Sequence, residues 1–415
     1  MAHGLYSAFT DALILDAVRT PWCDYGGALA LVSPTDLGIK VGREVLLRAN
    51  IEPAAVGSVL AGCVAQASFD AYMLPRHIGL YSGVPQAVPA LGVQRICGTG
   101  FELLRQAGEQ ITSGQTDVAL CVAAESMSRN PIAAYTHRGG FRLGAEVQFK
   151  DFLWEALYDP AAGVDMIGTA ENLARRYGIT RHEADAYAER SFALALAAQD
   201  EGLMAAELVS VKSETFTQDD YQLRGISLPR AVTAVEQDTH PRPTSLAALA
   251  QLRAIHAGGV QTAGNSCAVV DGAAAALVVS AAAAAGRQPL ARLLATAVVG
   301  VAPELMGIGP APAIRLLLAR SGLHMDDIAC FEINEAQAAQ VLAVQRELQV
   351  DVSRLNRRGG SIALGHPLAA TGMRLTMSLA RQLQAANQRY GIAAACIGGG
   401  QGMAVLIENP AFNRH

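Results

Sequence analysis

Gly98-Thr99-Gly100 opens an apolar-striped stretch from Phe101 to Ile111, which is followed by the short apolar run Val118-Ala119-Leu120-Cys121-Val122. The same order returns far downstream. Ala370-Thr371-Gly372 opens Met373 to Leu383, and Ala394-Ala395-Cys396-Ile397 follows. In each case a small-residue turn leads into a helix with one apolar face and then into a buried strand. Upstream of each, Glu44 to Ile51 resembles Ile314 to Ser321. Residue by residue the likeness is weak, and Ala- and Leu-rich helices also resemble one another by chance. The agreement lies in order and spacing, which predicts two copies of one α/β unit. Asp11 to Asp16 reads as a strand. Asp36 to Ala49 reads as a helix with Leu37, Val41, Val45 and Leu46 on one face. Strands between helices imply α/β layers around a mostly parallel sheet.

Between the copies the pattern changes. Residues 129–257 hold a turn-rich piece (Pro131, Gly139, Gly140, Asp159-Pro160), helical patterns from about Thr169 to Tyr177 and Arg181 to Gln199, and then Pro229, Pro241 and Pro243. This reads as an inserted loop domain. The predicted division is 1–128 plus 258–285 for the first half, 129–257 for the insertion and 286–415 for the second half.

The chain of 415 residues is long enough for more than one core. Charged residues make up 17% and the net charge is −5. No stretch gathers Lys and Arg into a stripe, which disfavours nucleic acid as a partner. Met1 to Asp16 contains no Lys or Arg and lacks the form of a signal or transit peptide. The Ala-rich run from Ala273 to Ala285 is too short to span a bilayer and is interrupted by Ser280. Phe412 to His415 matches no retention or peroxisomal signal. A cytoplasmic protein without a membrane segment is the expectation. The seven Cys form no Cys-x-x-Cys pair, which argues against a disulfide framework and against a Cys-rich zinc site.

Four segments carry chemistry. In Arg95-Ile96-Cys97-Gly98-Thr99-Gly100 a Cys stands at a helix start, where the macrodipole favours thiolate; many buried Cys are inert. In Asn356-Arg-Arg-Gly359-Gly360 through Gly365-His366-Pro367 to Gly372, a His is fixed among small residues and suits proton transfer from a thiol. A lone His is otherwise a structural residue. Ala395-Cys396-Ile397-Gly398-Gly399-Gly400-Gln401-Gly402 ends a strand in a glycine loop able to present N–H groups to an oxyanion, or simply makes a tight turn. It is neither a Walker loop nor a dinucleotide fingerprint. Glu332-Ile333-Asn334-Glu335-Ala336 places a carboxamide that can hold a water or polarise a carbonyl, or is a surface pair.

Together, in this order, the four segments resemble the thiolases. Further resemblances are Ala17-Val-Arg-Thr-Pro21, Glu125-Ser-Met-Ser-Arg129, Ala170-Glu171-Asn172, His240-Pro-Arg-Pro243, Gly264-Asn265 and Asp271-Gly-Ala-Ala, so that nearly the whole length is covered. The resemblance implies a fold of two similar βαβαβ-type halves in five layers (α/β/α/β/α). It implies Cys97 as an acyl-carrying nucleophile, His366 as its base, and Cys396 as acid/base at the α-carbon. Asn334 would hold a water facing the enolate, and the Cys97 and Gly398 amides would form a second oxyanion site. Acyl-CoA, acetyl-CoA and CoA are then substrates, with no metal and no further cofactor. A homodimer or homotetramer is implied, with sheet edges meeting side by side and residues 129–163 pairing dimers.

The chain departs from the family pattern around the substrate. Asp165-Met166-Ile167 stands where many members have His-Met-Gly. Gln337 follows Asn-Glu-Ala in place of Phe. Ser266-Cys267-Ala268 replaces Ala-Ser-Gly, putting Cys267 where a Ser lies near the pantetheine arm. Asp165, Met166 and Cys267 are thus the expected substrate contacts. Asp165 would either be turned away or paired with an Arg, or meet a polar group of the substrate, and acetoacetyl-CoA should be a poor substrate beside longer 3-ketoacyl-CoA thioesters. Two other readings are a ketoacyl synthase-type condensing enzyme, which the second Cys opposes, and a non-catalytic thiolase-like protein that binds acyl-CoA.

Overall fold

The computed structural model describes residues 3–65, 70–135 and 137–413; Met1-Ala2 and the Arg414-His415 end read above lie outside it. The first half runs β1 (Leu13–Arg19), α1 (Pro34–Arg48), β2 (Ser58–Gly62), α2 (Thr99–Thr112) and β3 (Val118–Glu125). The chain then leaves the sheet, builds α3 (Met166–Tyr177) and α4 (Arg181–Asp200), and returns as β4 (Val270–Val279). The second half runs β5 (Ala291–Gly300), α5 (Pro310–Ser321), β6 (Ile328–Ile333), α6 (Ala338–Leu348), α7 (Thr371–Ala385), β7 (Tyr390–Ile397) and β8 (Gln401–Glu408). The first strand begins at Leu13, two residues later than read, because Asp11 adopts a left-handed turn (φ 66°), and it extends to Arg19. The Ala-rich run is largely β4, which lies between β1 and β3. No helix among the described residues is long and apolar enough to cross a membrane.

The repeat is visible in the strand order. The sheet reads β6-β7-β8-β5 and then β1-β4-β3-β2, joined where Leu13 and Ile14 pair with Arg292 and Ala291, with Leu5–Ala8 pairing further along β5. Parallel pairs are β6 with β7 in one half, and β2 with both β3 and the edge strand Ala90–Gly92 in the other; the remaining pairs along this order are antiparallel. The expectation of a mostly parallel sheet is therefore corrected to a mixed one. The reason is local: β7 and β8 are joined by a tight glycine turn with no crossover helix, which permits only antiparallel pairing.

Strand alternation divides the core into layers. Leu13, Leu15 and Val18 of β1, Leu120 and Val122 of β3, and Ala275 and Leu277 of β4 pack with α1 on the outer side. Their neighbours Ile14, Ala17, Ala119, Cys121, Ala274 and Ala276 face inward, into a second core with α2, α7 and the other half-sheet. Helix α7 is buried on nearly every side, from Thr371 to Leu383. The two middle helices meet at their starts. A Cβ on Gly100 would lie 2.7 Å from the Met373 nitrogen, and one on Gly372 would lie 2.6 Å from the Phe101 nitrogen. The matched Thr-Gly dipeptides thus touch each other across the axis relating the halves, and only glycine permits that approach.

Candidate active site

Cys97 sits in a 3₁₀ turn, Ile96–Gly98, immediately before α2. Ile96 has φ of +43°, an unfavourable region for a β-branched residue. Thr99 locks the turn: its hydroxyl donates to the Ile96 carbonyl (2.7 Å) and accepts from the Arg95 amide (2.9 Å). The thiol is buried. Burial pushes it up to about 11, while the Gly398 amide and its own amide pull it partly back. Burial thus works against the thiolate that the helix start is expected to favour.

His366 follows Gly365, whose φ of +92° and crowding against Val270 require glycine. The His366 amide donates to the Ala268 carbonyl (3.0 Å). Its ring is held from both sides. Nδ1 lies 2.6 Å from the Thr371 hydroxyl, which itself donates to the Pro367 carbonyl (3.2 Å). A hydroxyl has one proton, so Nδ1 carries the ring proton and Nε2 is free to accept. Asn334 agrees with this tautomer: its Oδ1 accepts from Ser361 (2.6 Å), which turns its Nδ2 toward His366 Nε2 (3.4 Å). Burial, aided by the Arg374 cation, pushes the imidazolium down to about 3, so the ring is neutral. Arg374 is itself buried, pairs with Glu332 (3.1 Å) and reaches Ser361 (3.4 Å).

Cys396 ends β7 and is fully buried among Met306, Ala336 and Met166. Its thiol is raised well above the ordinary range by burial, then by Cys97 and Cys267. Burial first, and then Cys97, pushes Cys267 up to about 12. Three thiols therefore lie within electrostatic reach of one another, and the Gly398 amide reaches the Cys97 sulfur. Cys267 is tied to the Asn-Glu-Ala segment by its amide, which donates to the Ala336 carbonyl (3.0 Å). Ser266 pairs with Gln337 in an isolated β-bridge, so two of the departures from the family pattern are neighbours.

The structure separates Asp165 from Met166. Asp165 is the N-cap of α3: its Oδ1 accepts from the Gly168 amide (2.6 Å) and lies 3.0 Å from His256 Nε2. It lines a side cleft with His256, Glu171 and Arg175. Of the two placements expected for it, the geometry is the turned-away one, with a His rather than an Arg as partner. Met166, one residue on, faces another cleft of about 620 Å³ that reaches Ile96, Gly398 and Gly399 beside Cys97.

Sequence reading missed Ser361, Thr371 and Arg374 as supports of the Asn334–His366 pair. Thr371 was in view as half of the Thr-Gly match, but its bond to the ring five residues earlier needs the turn geometry. It also missed Glu125, which accepts from the Val64, Ala65 and Ala369 amides (each 3.1 Å) and so ties three segments behind Cys97. Among the described residues no group of three His, Cys, Asp or Glu is placed to hold a metal ion.

Two thiols within reach of each other, a backbone amide on one of them, and a neutral imidazole with an accepting nitrogen, anchored beside the third thiol, define a class of acyltransferases that work through a cysteine. The N-terminal thiolase domain matches residues 12–282 and the C-terminal thiolase domain residues 287–409. The chain is 40% identical to the mitochondrial 3-ketoacyl-CoA thiolase of Bos taurus over 402 residues, 96% of this chain and 98% of that protein. It is 39% identical to the β-ketoadipyl-CoA thiolase of Pseudomonas putida over 414 residues, 96% and 99% of the two. The crystal structure of human mitochondrial 3-ketoacyl-CoA thiolase in complex with CoA superposes with a TM-score of 0.90 at 38% identity, covering 96% of this chain and 98% of that one. This chain belongs to the thiolase family, and it is an acyltransferase.

Proposed function

We propose that the protein cleaves 3-ketoacyl-CoA with CoA, and runs the reverse condensation, through an acyl group carried on Cys97. The observation that carries this is Cys97 within reach of Cys396, Cys267 and the Gly398 amide, with a neutral His366 anchored on Ala268, the residue after Cys267, and its accepting Nε2 turned to Asn334. In thiolysis Cys97 sulfur attacks the C3 ketone as its proton passes to His366 Nε2. Burial makes either ion costly alone, so the transfer accompanies attack and no standing thiolate is needed. The C2–C3 bond breaks, and C2 takes the proton of the Cys396 thiol, giving acetyl-CoA. Asn334 and His366 face the enolate oxygen, and the Cys97 and Gly398 amides face the C3 oxyanion. Cys396 thiolate then deprotonates CoA, whose sulfur attacks the Cys97 thioester. The departing Cys97 sulfur recovers its proton from His366, and every proton is returned. No cofactor enters this scheme; the CoA thioesters are substrates.

Loss of the 3-ketoacyl absorbance on adding CoA tests this reading directly. The same assay carries a pH prediction. The lowered His366 value leaves the imidazole neutral from about pH 3 upward, and Cys97 stays protonated up to about 11. kcat/KM for the 3-ketoacyl-CoA is therefore expected to be level between pH 6 and 8, a window inside both limits. An acid limb centred near 6.5 would show that His366 titrates as an ordinary imidazole.

Assembly as a homodimer or homotetramer, and a cytoplasmic location, belong to the same proposal. Ala90–Gly92 forms an open sheet edge with Leu91 exposed. Nearby, Tyr72 and Met73 are exposed, and Ile132, Phe141, Leu143, Phe149 and Trp154 stand out from the inserted region. Multi-angle light scattering at micromolar concentration is expected to give at least twice the chain mass of 43.4 kDa; a stable monomer would overturn the assembly, and cell fractionation reads the location.

A further inference from the structure

We infer that the cleft beside Cys97 selects acyl tails that are neutral, apolar and longer than that of acetoacetyl-CoA, and disfavours tails ending in a carboxylate. This deepens the thiolase reading and rests on it. The cleft of about 620 Å³ begins at Ile96, Gly398 and Met166, next to the sulfur that would carry the acyl group, so the tail extends into it. Its volume is far more than the methyl of an acetoacetyl unit needs. The wall beyond is aromatic: Tyr72, Tyr135, Phe152 and Tyr158. Tyr135 and Phe152 stack on each other, with centroids 5.6 Å apart and planes at 28°. Such a wall takes apolar tails well.

Its charges point the same way. Among the described lining residues none is Lys or Arg, and two are carboxylates, Glu155 and Asp159. Glu155 is half exposed and paired with Lys150 at 3.2 Å on the rim, so it is largely offset and screened. Asp159 is different. It is 6% exposed; its Oδ1 accepts from the Ala161 and Ala162 amides, and its Oδ2 is buried with no hydrogen-bond partner among the described residues. A terminal carboxylate entering the cleft would find no cation among the described lining residues and would meet the like charge of Asp159. The two relatives compared above differ by one point in identity to this chain. One is named for 3-ketoacyl-CoA and the other for β-ketoadipyl-CoA, so overall similarity does not choose between them and the cleft does.

The test uses a matched pair. 3-Ketohexanoyl-CoA and 3-ketoadipyl-CoA share a six-carbon acyl chain and differ at its end. Steady-state thiolysis by the purified enzyme is expected to give kcat/KM at least tenfold higher for 3-ketohexanoyl-CoA, or about 1.4 kcal/mol. It should also exceed that for acetoacetyl-CoA. Asp159→Asn keeps the acceptor for the two amides and removes the charge, and should narrow the gap mainly by lowering KM for 3-ketoadipyl-CoA. Phe152→Ala should narrow the preference for 3-ketohexanoyl-CoA over acetoacetyl-CoA. Cleavage of all three with 3-ketoadipyl-CoA equal or preferred overturns this inference and leaves the thiolase reading intact. A gap untouched by Asp159→Asn overturns the assignment to this cleft. Failure to cleave any of the three overturns the thiolase reading itself.

Discussion

Cys97→Ala is expected to lower thiolysis of a 3-ketoacyl-CoA by roughly 10⁴-fold or more, the scale on which enzymes lose rate when a covalent nucleophile is removed. The fold should survive. The change removes one buried sulfur from a turn that Thr99 holds through the backbone of Ile96 and Arg95, so the stability cost should be about 1 kcal/mol. The size of the rate effect follows from what no neighbour can replace. His366 is neutral with one accepting nitrogen, and Cys396 is buried at the far side of the glycine turn, packed on Met306, Ala336 and Met166. Neither is presented by a turn as Cys97 is. Intact-mass analysis after mixing with acyl-CoA should show an acyl adduct on the wild type and none on Cys97→Ala. An adduct of equal yield on the variant would remove Cys97 from the role of acyl carrier and would direct attention to Cys267 or Cys396.

Much of this arrangement is legible in the chain, for reasons that differ by element. The duplicated half is legible because it depends on local order: a small-residue turn, an amphipathic helix and a buried strand each leave their own period in the sequence. The Thr-Gly dipeptides that carried the match prove to be the contact between the halves, where any side chain beyond hydrogen would clash. The mixed sheet was less legible. The direction of β4 depends on where a long insertion returns, and apolar runs do not record direction. Cys97, His366, Asn334 and Cys396 stand out in the sequence because each lies in a short segment of unusual composition. Arg374 and Ser361 do not, since an Arg within a helix and a Ser after two glycines are ordinary, and only the fold brings them to Asn334. Asp165 shows where a local signal could have chosen between two readings. Its alignment with a pocket residue leaves both a turned-away and a substrate-facing placement open, and an Asp just before Met-Ile-Gly-Thr-Ala-Glu is also a helix-cap signal that favours the first. The cap takes its carboxylate toward Gly168, and Met166 takes the position beside the sulfur.

Cys396→Ser is expected to divide the reaction. Transfer of an acyl group from acyl-CoA to Cys97 should persist, though more slowly, because it moves no carbon-bound proton and the His366 imidazolium can give the departing CoA sulfur the proton that Cys396 otherwise supplies. Thiolysis, and exchange of the acetyl-CoA methyl protons with solvent, should fall by about 10²–10⁴-fold, the usual contribution of a positioned acid or base. The protonation states give the reason. Burial and the neighbouring sulfurs hold Cys396 as a neutral thiol, which is the form that must hand a proton to C2 as the C2–C3 bond breaks. A serine hydroxyl fits the same space among Met306, Ala336 and Met166 but is a far weaker acid. Its conjugate base is also too costly in that apolar setting to deprotonate the incoming CoA. The two readouts separate a chemical role from a structural one. A variant that loses acyl transfer and proton exchange together has lost the shape of the site. One that keeps adduct formation on Cys97 while exchange in deuterated water stops has lost only the proton at the α-carbon. If exchange continues at the wild-type rate, Cys396 is a packing residue and the proton must come from elsewhere, with Cys267, the third thiol within reach of Cys97, as the group to replace next.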